Sequence, residues 1–420
     1  MRNGAMAHED KIPRIADVSV ASILKSEAVL TFFQPIVSLR RKSLFGVEAL
    51  SRGLIGDSGE AIPPALLFQL AEDKADLANL DRLCRRKALE AFAPMHALSR
   101  ELFLCLNVEP TTLDWGLVGS GTLSDVAQRL GVDPANVVLE LDESRIADPS
   151  TLTRFADSCR AAGFLLGLDG AGGPHSGLER IAELRPDIIK IDRRLVSGVH
   201  SATHKQDVVR GLIATADRIG ALPVAVGVET EEEVILLLEL GVEVFQGFYF
   251  ARPYPSGSKR PDVSTAIEAV AAHFKGHVLR RISASKEQHK IYAFVIDQVQ
   301  EALARTTLPE LDAALAGILD MHPGLQCAYV LNESGLQISD TVSNPLLKRG
   351  VRRFLHQPIR KGTDHSLKEY YLSIKAGLPR YITDPGISQT TGLPRRTICA
   401  AYQDASGRQR ILCLDISEPE

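Results

Sequence analysis

From Phe32 to Pro253 the chain alternates short, nearly unbroken apolar runs with longer amphipathic stretches. The runs are F-F-Q-P-I-V, L-F-G-V-E-A-L, L-F-L-C-L-N-V, V-V-L-E-L-D, L-L-G-L-D, I-I-K-I-D, P-V-A-V-G-V and V-F-Q-G-F-Y-F. A strand buried on both faces has this character, because neither face meets water. Between the runs, residues 64–92, 123–130, 151–162 and 230–240 carry apolar side chains at helical spacing. Strands alternating with helices over roughly 220 residues predict an α/β fold, a TIM-like (β/α)8 barrel. In such barrels the site gathers at the C-terminal ends of the strands. Glu48, Asn107, Glu140, Asp169, Lys190, Glu229 and Gln246 all stand at or beside run ends.

The pattern changes on either side. Residues 1–25 are polar and mixed, a tail with one short helix; the barrel is expected over 26–258. A-R-P-Y-P-S-G-S-K-R-P-D closes the barrel with linker residues. A long helical pattern follows over 264–304, expected as a connecting helix within 259–306. Its stripe of Ile267, Val270, Ala271, Phe274 and Val278 would cover its own barrel or pair two copies as a homodimer. Residues 307–420 then show a helix at 311–321, the runs Q-C-A-Y-V-L-N, T-I-C-A-A-Y and R-I-L-C-L-D-I, and the turns N-E-S-G and D-A-S-G. That order predicts a smaller α+β domain of PAS-like or Cache-like type.

Length, 420 residues, already requires two or three domains. A formal net charge of −4 gives no general attraction to nucleic acid or anionic membrane. No apolar run approaches the roughly 20 residues of a membrane helix, and the N-terminal residues lack the apolar core of a signal peptide. Six cysteines without a C-x-x-C pair read as reduced, buried thiols, so a cytoplasmic protein is expected.

The strand-end residues have a shared chemistry. Glu48, Asn107, Glu140 and Asp169 offer hard oxygen ligands suited to Mg²⁺ or Mn²⁺. A lysine at a strand end, Lys190, can stabilise phosphate charge or polarise water. Taken singly, each acid is more often a helix cap or a solvated loop residue, and Glu231–Glu233 reads as a helix first turn favoured by the dipole. Several such residues at strand ends in sequence order weaken that bland account.

Residues 32–253 resemble the EAL domain, a family that hydrolyses or binds cyclic di-GMP. F-Q-P-I-V at 33–37 is similar to its opening strand, and Glu48-Ala49-Leu50 is the signature, with Arg52 matching a phosphate-contacting arginine. Leu106-Asn107-Val108 resembles the strand with the metal-binding Asn, and Glu140-Leu141-Asp142-Glu143 resembles E-x-x-E, implying Glu140 as ligand and Glu143 as loop support. R-P-D-I-I-K-I-D implies Lys190 as the catalytic lysine. G-V-E-T, with Glu229, and Q-G-F-Y-F-A-R-P, with Gln246, resemble the closing segments. If the site were active, Glu48, Lys190 and Glu229 would be its catalytic residues. Gln34, Arg52, Asp169, Lys190 and Gln246 would contact the ligand.

Two departures bear on activity. The family usually shows D-D-F-G-T-G-Y-S-S where this chain has D-G-A-G-G-P-H-S-G, so Gly170 replaces an acid; A-E-G-V-E becomes A-V-G-V-E, so Val226 replaces another. Loss of even an outer partner lowers metal affinity about 10–100-fold. Three functions follow: a cyclic di-GMP receptor with a degenerate, non-hydrolytic centre; an active phosphodiesterase making pGpG, needing a substitute ligand such as Asp192 or His175; and a scaffold that binds an unidentified protein partner without nucleotide. The segment G-T-D-H-S-L-K-E-Y-Y, with Arg380-Tyr381, T-D-P-G-I-S and the last run, resembles the Cache-like domain that follows some bacterial EAL domains. It makes Arg380, Tyr381 and Asp415 pocket candidates.

Overall fold

The computed structural model describes residues 19–55, 60–109, 120–142, 149–173, 177–347, 360–388 and 390–417. It divides into two compact units, Met1–Val278 and Leu279–Glu420.

In the first unit a sheet closes on itself. Its strands are β1 (Val29–Ser38), β2 (Ser43–Ile55), β3 (Glu60–Ile62), β4 (Phe103–Val108), β5 (Val137–Asp142), β6 (Leu165–Ala171), β7 (Ile188–Ile191), β8 (Leu222–Val226), β9 (Val244–Gln246) and β10 (Tyr254–Pro255). β2 and β4 to β9 pair in parallel in turn, and β1 closes the barrel by pairing with both β2 and β9. The short β3 and β10 extend β2 and β1 at the rim.

One strand corrects the expectation of a uniform (β/α)8 barrel: β1 runs antiparallel to both neighbours. The cause lies in the connection. Only residues 39–42 join β1 to β2, with Lys42 at φ 51°. So short a loop can join only antiparallel strands, since a parallel crossover needs a dozen or more residues.

Strand alternation builds the interior in layers. Ile36, Phe45, Cys105, Val138, Ile188, Val224 and Val244, from seven different strands, form one apolar layer, with Phe45 stacked on Phe103 at 4.7 Å. Two residues further toward the mouth, on the same side of the pleat, stand Asn107, Glu140, Lys190, Val226 and Gln246, and on the reversed β1, Gln34. The outward faces pack on helices. Leu104, Leu106, Leu139 and Leu166 share one apolar cluster with Ala88, Leu89 and Phe92 of helix Lys74–Leu98, which Asp73 caps. Val37, Ile191, Ala225 and Phe245 belong to a cluster with Val209, Val234, Leu237, Ile267 and Val270. Two residues of the long helix's predicted stripe therefore cover the helix's own barrel.

The second unit is a six-stranded antiparallel sheet: β11 (Leu325–Leu331), β12 (Val342–Ser343), β13 (Arg380–Ile382), β14 (Gly386–Ile387), β15 (Pro394–Gln403) and β16 (Gln409–Ser417). Ile398, Ala400, Leu412 and Leu414 pack one face on Val299 and Leu303 of helix Ser264–Ala304 and on Leu315 and Ile318 of helix Leu311–Met321. On the other face Tyr329, Cys399 and Cys413 meet Tyr371 and Ile374. Among the described residues, no helix is long and apolar enough to cross a membrane.

Candidate functional site

Lys190 is the centre of the barrel mouth. Its Nζ lies 2.8 Å from Glu48 Oε2 and 2.6 Å from Glu140 Oε2, and all three side chains are buried. Glu48 is held on both oxygens: Asn107 Nδ2 donates to Oε1 at 2.9 Å and Gln246 Nε2 to Oε2 at 2.7 Å. Gln246 also donates to Gln34 Oε1 at 3.2 Å, and Gln34 donates to the Ala251 carbonyl at 3.5 Å. The partly buried Asp169 accepts from the Gly170 amide at 2.9 Å.

One lysine thus serves three carboxylates, and the charges divide unequally. Burial alone would raise Glu48, but the Lys190 charge and the hydrogen bonds from Lys190, Gln246 and Asn107 hold it below the usual carboxylate range. Besides Lys190, Glu140 meets only the Cys105 thiol, a weak donor. Its burial, with repulsion from Glu48 and Asp169, overrides the lysine and raises it to about 8. Burial, reinforced by Glu48, also raises Asp169. Lys190 is buried yet held well above its ordinary value by Glu140, Glu48 and Asp169. At neutral pH the cluster is therefore an ionised Glu48–Lys190 pair beside a protonated Glu140.

The donor set can be tested for metal. Glu140 Oε1 is buried with no hydrogen-bond partner, and with Glu48, Asn107 and Asp169 it supplies the oxygen chemistry a hard cation prefers. For a second cation the set does not fit. Gly170 sits at φ 76°, and the nearest heavy atom to a Cβ there would be Asp192 Oδ2 at 4.0 Å. Asp192 itself caps the helix Arg193–Val196 through the Arg194 amide at 2.7 Å. Val226, at the end of β8, packs on the apolar layer below. Among the described residues, no group of three or more His, Cys, Asp or Glu side chains converges as a metal cage.

The remaining candidates fall differently. Glu229 is exposed and pairs with Arg193 at 2.5 Å, outside the buried cluster. Arg52 donates to the Ser51 carbonyl at 2.9 Å and lies 5.3 Å from the Phe32 ring centroid. Glu143 and His175 lie outside the described residues. Sequence reading missed Cys105, a lumen thiol that burial raises far above its ordinary value beside Glu140; its place two residues before Asn107 was the available signal. In the second unit, Arg380 stands on the opposite face of the sheet from Tyr381 and Asp415. Arg380 bonds Asp297 and Gln300 of the long helix. Tyr381 lies with Cys399 on the opposite face. Asp415 is a satisfied core acid, accepting from Thr397 at 2.6 Å, Cys327 at 3.1 Å and Ser388 at 3.3 Å.

Comparison with known proteins now adds to this geometry. The model of the EAL domain matches residues 16–253. The cyclic di-GMP phosphodiesterase RocR of Pseudomonas aeruginosa is 27% identical over 246 residues, covering 58% of this chain and 62% of that protein. The probable cyclic di-GMP phosphodiesterase PdeB of Escherichia coli is 28% identical over 232 residues, covering 55% of this chain and 44% of that one. The chain thus spans less than two thirds of these relatives. The crystal structure of Bacillus subtilis YkuI, with an EAL domain, in complex with cyclic di-GMP and calcium, superposes at TM-score 0.78 over 96% of this chain and 100% of that one; at 21% identity the likeness is one of fold. Klebsiella pneumoniae BlrP1, as a calcium and cyclic di-GMP complex, matches at TM-score 0.51 and 29% identity over 56% of this chain and 58% of that one. The barrel, its strand-end residues and the family match agree: this chain belongs to the EAL domain family.

Proposed function

We propose that the chain is a cyclic di-GMP receptor whose EAL barrel binds the dinucleotide without hydrolysing it. The observation that carries this reading is the pair Gly170 and Val226: two strand ends that would face a second cation bear no ligand, and among the described residues the acid nearest Gly170, Asp192, is engaged through Oδ1 as a helix cap. Lys190 and Arg52 supply positive charge for the phosphates, and Gln34, Gln246 and Asp169 supply polar contacts. Lys190 already neutralises Glu48, and Glu140 keeps its proton, so an anionic ligand meets little repulsion from the cluster. Occupancy is passed to residues 307–420, a PAS/Cache-like sensor domain, or to a protein partner. Residues 26–258 form the barrel and 259–306 the connecting helix, in a cytoplasmic protein.

The unpartnered Glu140 Oε1 favours a second reading, an active phosphodiesterase releasing pGpG. Glu48, Asn107, Glu140 and Asp169 would hold the cation. A bound divalent ion would acidify water and neutralise phosphate charge. In that reading Glu48 is an ionised ligand, and Lys190 stays charged to hold the phosphate. Both readings are tested by calorimetric titration of cyclic di-GMP into pure protein, once in EDTA and once in Mg²⁺, with the contents assayed for pGpG. Binding in both buffers without product supports the receptor. Product in Mg²⁺ selects the enzyme, and absence of heat and product sinks both.

A further inference from the structure

Between Leu279 and Ile291, every described side chain of helix Ser264–Ala304 is exposed. A helical segment of this length is marginal in water on its own, and an ion pair within it, Lys290 to Glu287 at 2.8 Å, is solvent-exposed. Yet the segment and its next turn carry four large apolar side chains: Leu279 (55% exposed), Ile282 (45%), Ile291 (60%) and Phe294 (62%). Together they expose on the order of 400 Å² of apolar surface, the size of the largest patch on an ordinary monomer, which is often a functional one.

The spacing is palindromic. Leu279 and Ile282 mirror Phe294 and Ile291 about a point between Lys286 and Glu287. On the helix the four fall within a sector of about 180° whose midline passes between those same two residues. A two-fold symmetric contact requires a self-complementary surface, and an antiparallel pair of identical helices centred there would have one. Leu279 would face Phe294 of the second copy, and Ile282 would face Ile291. The charges agree with this register. Lys286 falls opposite Glu287 twice, once on each side of the axis; Arg280 falls opposite Ala293, Arg281 opposite Tyr292 and Lys290 opposite Ser283. A parallel pairing would instead stack each cation on itself.

We propose that residues 279–294 form an antiparallel homodimer contact about the Lys286–Glu287 midpoint. This face is distinct from the Ile267–Val270 face that covers the barrel. The contact is about 22 Å long and small for a specific interface, so the dimer is weak and concentration-dependent. Sedimentation equilibrium of the full chain from about 1 to 100 μM tests it. The expected result is a monomer–dimer equilibrium in that range. Ile282→Glu or Phe294→Glu should weaken it at least tenfold while far-ultraviolet circular dichroism stays unchanged. Lys286→Glu should weaken it by placing like charges across the axis, and Lys286→Glu with Glu287→Lys should restore it. A monomer at every concentration overturns the proposal and leaves the face to a different partner. A dimer indifferent to all these changes, or a charge swap that fails to restore it, also overturns it.

Discussion

Replacing Lys190 with Met isolates the buried charge at the centre of the candidate site. The change keeps most of the side-chain volume and removes the one cation that Glu48 and Glu140 share. Glu48 retains donors from Asn107 and Gln246, whereas Glu140 retains only the weak thiol donor of Cys105. Breaking a buried pair from one side costs about 3–5 kcal/mol. For a unit of this size each kcal/mol lowers Tm by about 2–4 °C, so a fall of roughly 6–20 °C is expected. The pH dependence gives a second, independent sign. Glu140 has a pKa of about 8 in the folded protein against an ordinary 4.5, so between these the folded state holds the extra proton. Its contribution to stability is complete below pH 4.5 and is lost as pH rises through 8, a change of about 5 kcal/mol. Without Lys190 both acids hold protons more tightly. The deficit of the variant should therefore grow with pH, being largest near pH 9 and smaller by at least half near pH 5. Thermal unfolding of both proteins from pH 5 to 9 reads this directly. A Tm fall under about 2 °C, or a deficit equal at both pH values, would refute the charge assignment.

Four further outcomes are expected. Glu140→Gln removes the proton-binding acid while keeping an acceptor for Lys190, so stability should vary less between pH 6 and 9 than in the parent, measured by the same melts. Gly170→Asp with Val226→Glu should confer measurable pGpG release in Mg²⁺ or Mn²⁺, since Asp tolerates the left-handed backbone at 170; no gain in product would count against those two sites as the cause of inactivity. Arg52→Ala should weaken cyclic di-GMP binding by about tenfold or more by calorimetry, the worth of a hydrogen bond to a charged group. Gly247→Ala would place a Cβ 2.1 Å from the Val228 carbonyl oxygen, a backbone clash expected to cost about 3 kcal/mol or more in urea unfolding.

The barrel was legible because its strands are buried on both faces and so are apolar nearly throughout. The reversal of β1 was also written in the chain, in the six residues between its first two runs, but periodicity does not register strand direction. The site was legible as a set of strand ends and not as a network. Lys190 meets Glu48 across 142 positions, and no local pattern says that one lysine will bridge two acids while one of the two loses the competition for charge. Glu229 shows the opposite failure: it stands at a strand end, but Arg193, 36 positions earlier, holds it in solvent. Asp415 was visible as an acid in an apolar run, yet Thr397, Cys327 and Ser388, which satisfy it, come from three separate segments.

The antiparallel first strand has a consequence for synthesis. The β1–β2 hairpin is local and can form as soon as residue 55 has left the ribosome. The other edge of β1 finds its partner only when Gln246 arrives to pair with Ile36. At about 5–20 residues per second, a delay of roughly 10–40 s separates the two events. During that interval Ile36 and Val37 present an open backbone edge, the feature most prone to join the wrong chain. The last barrel strand, only three residues long, ends that exposure, so truncations just before Val244 should aggregate far more readily than truncations after Pro255.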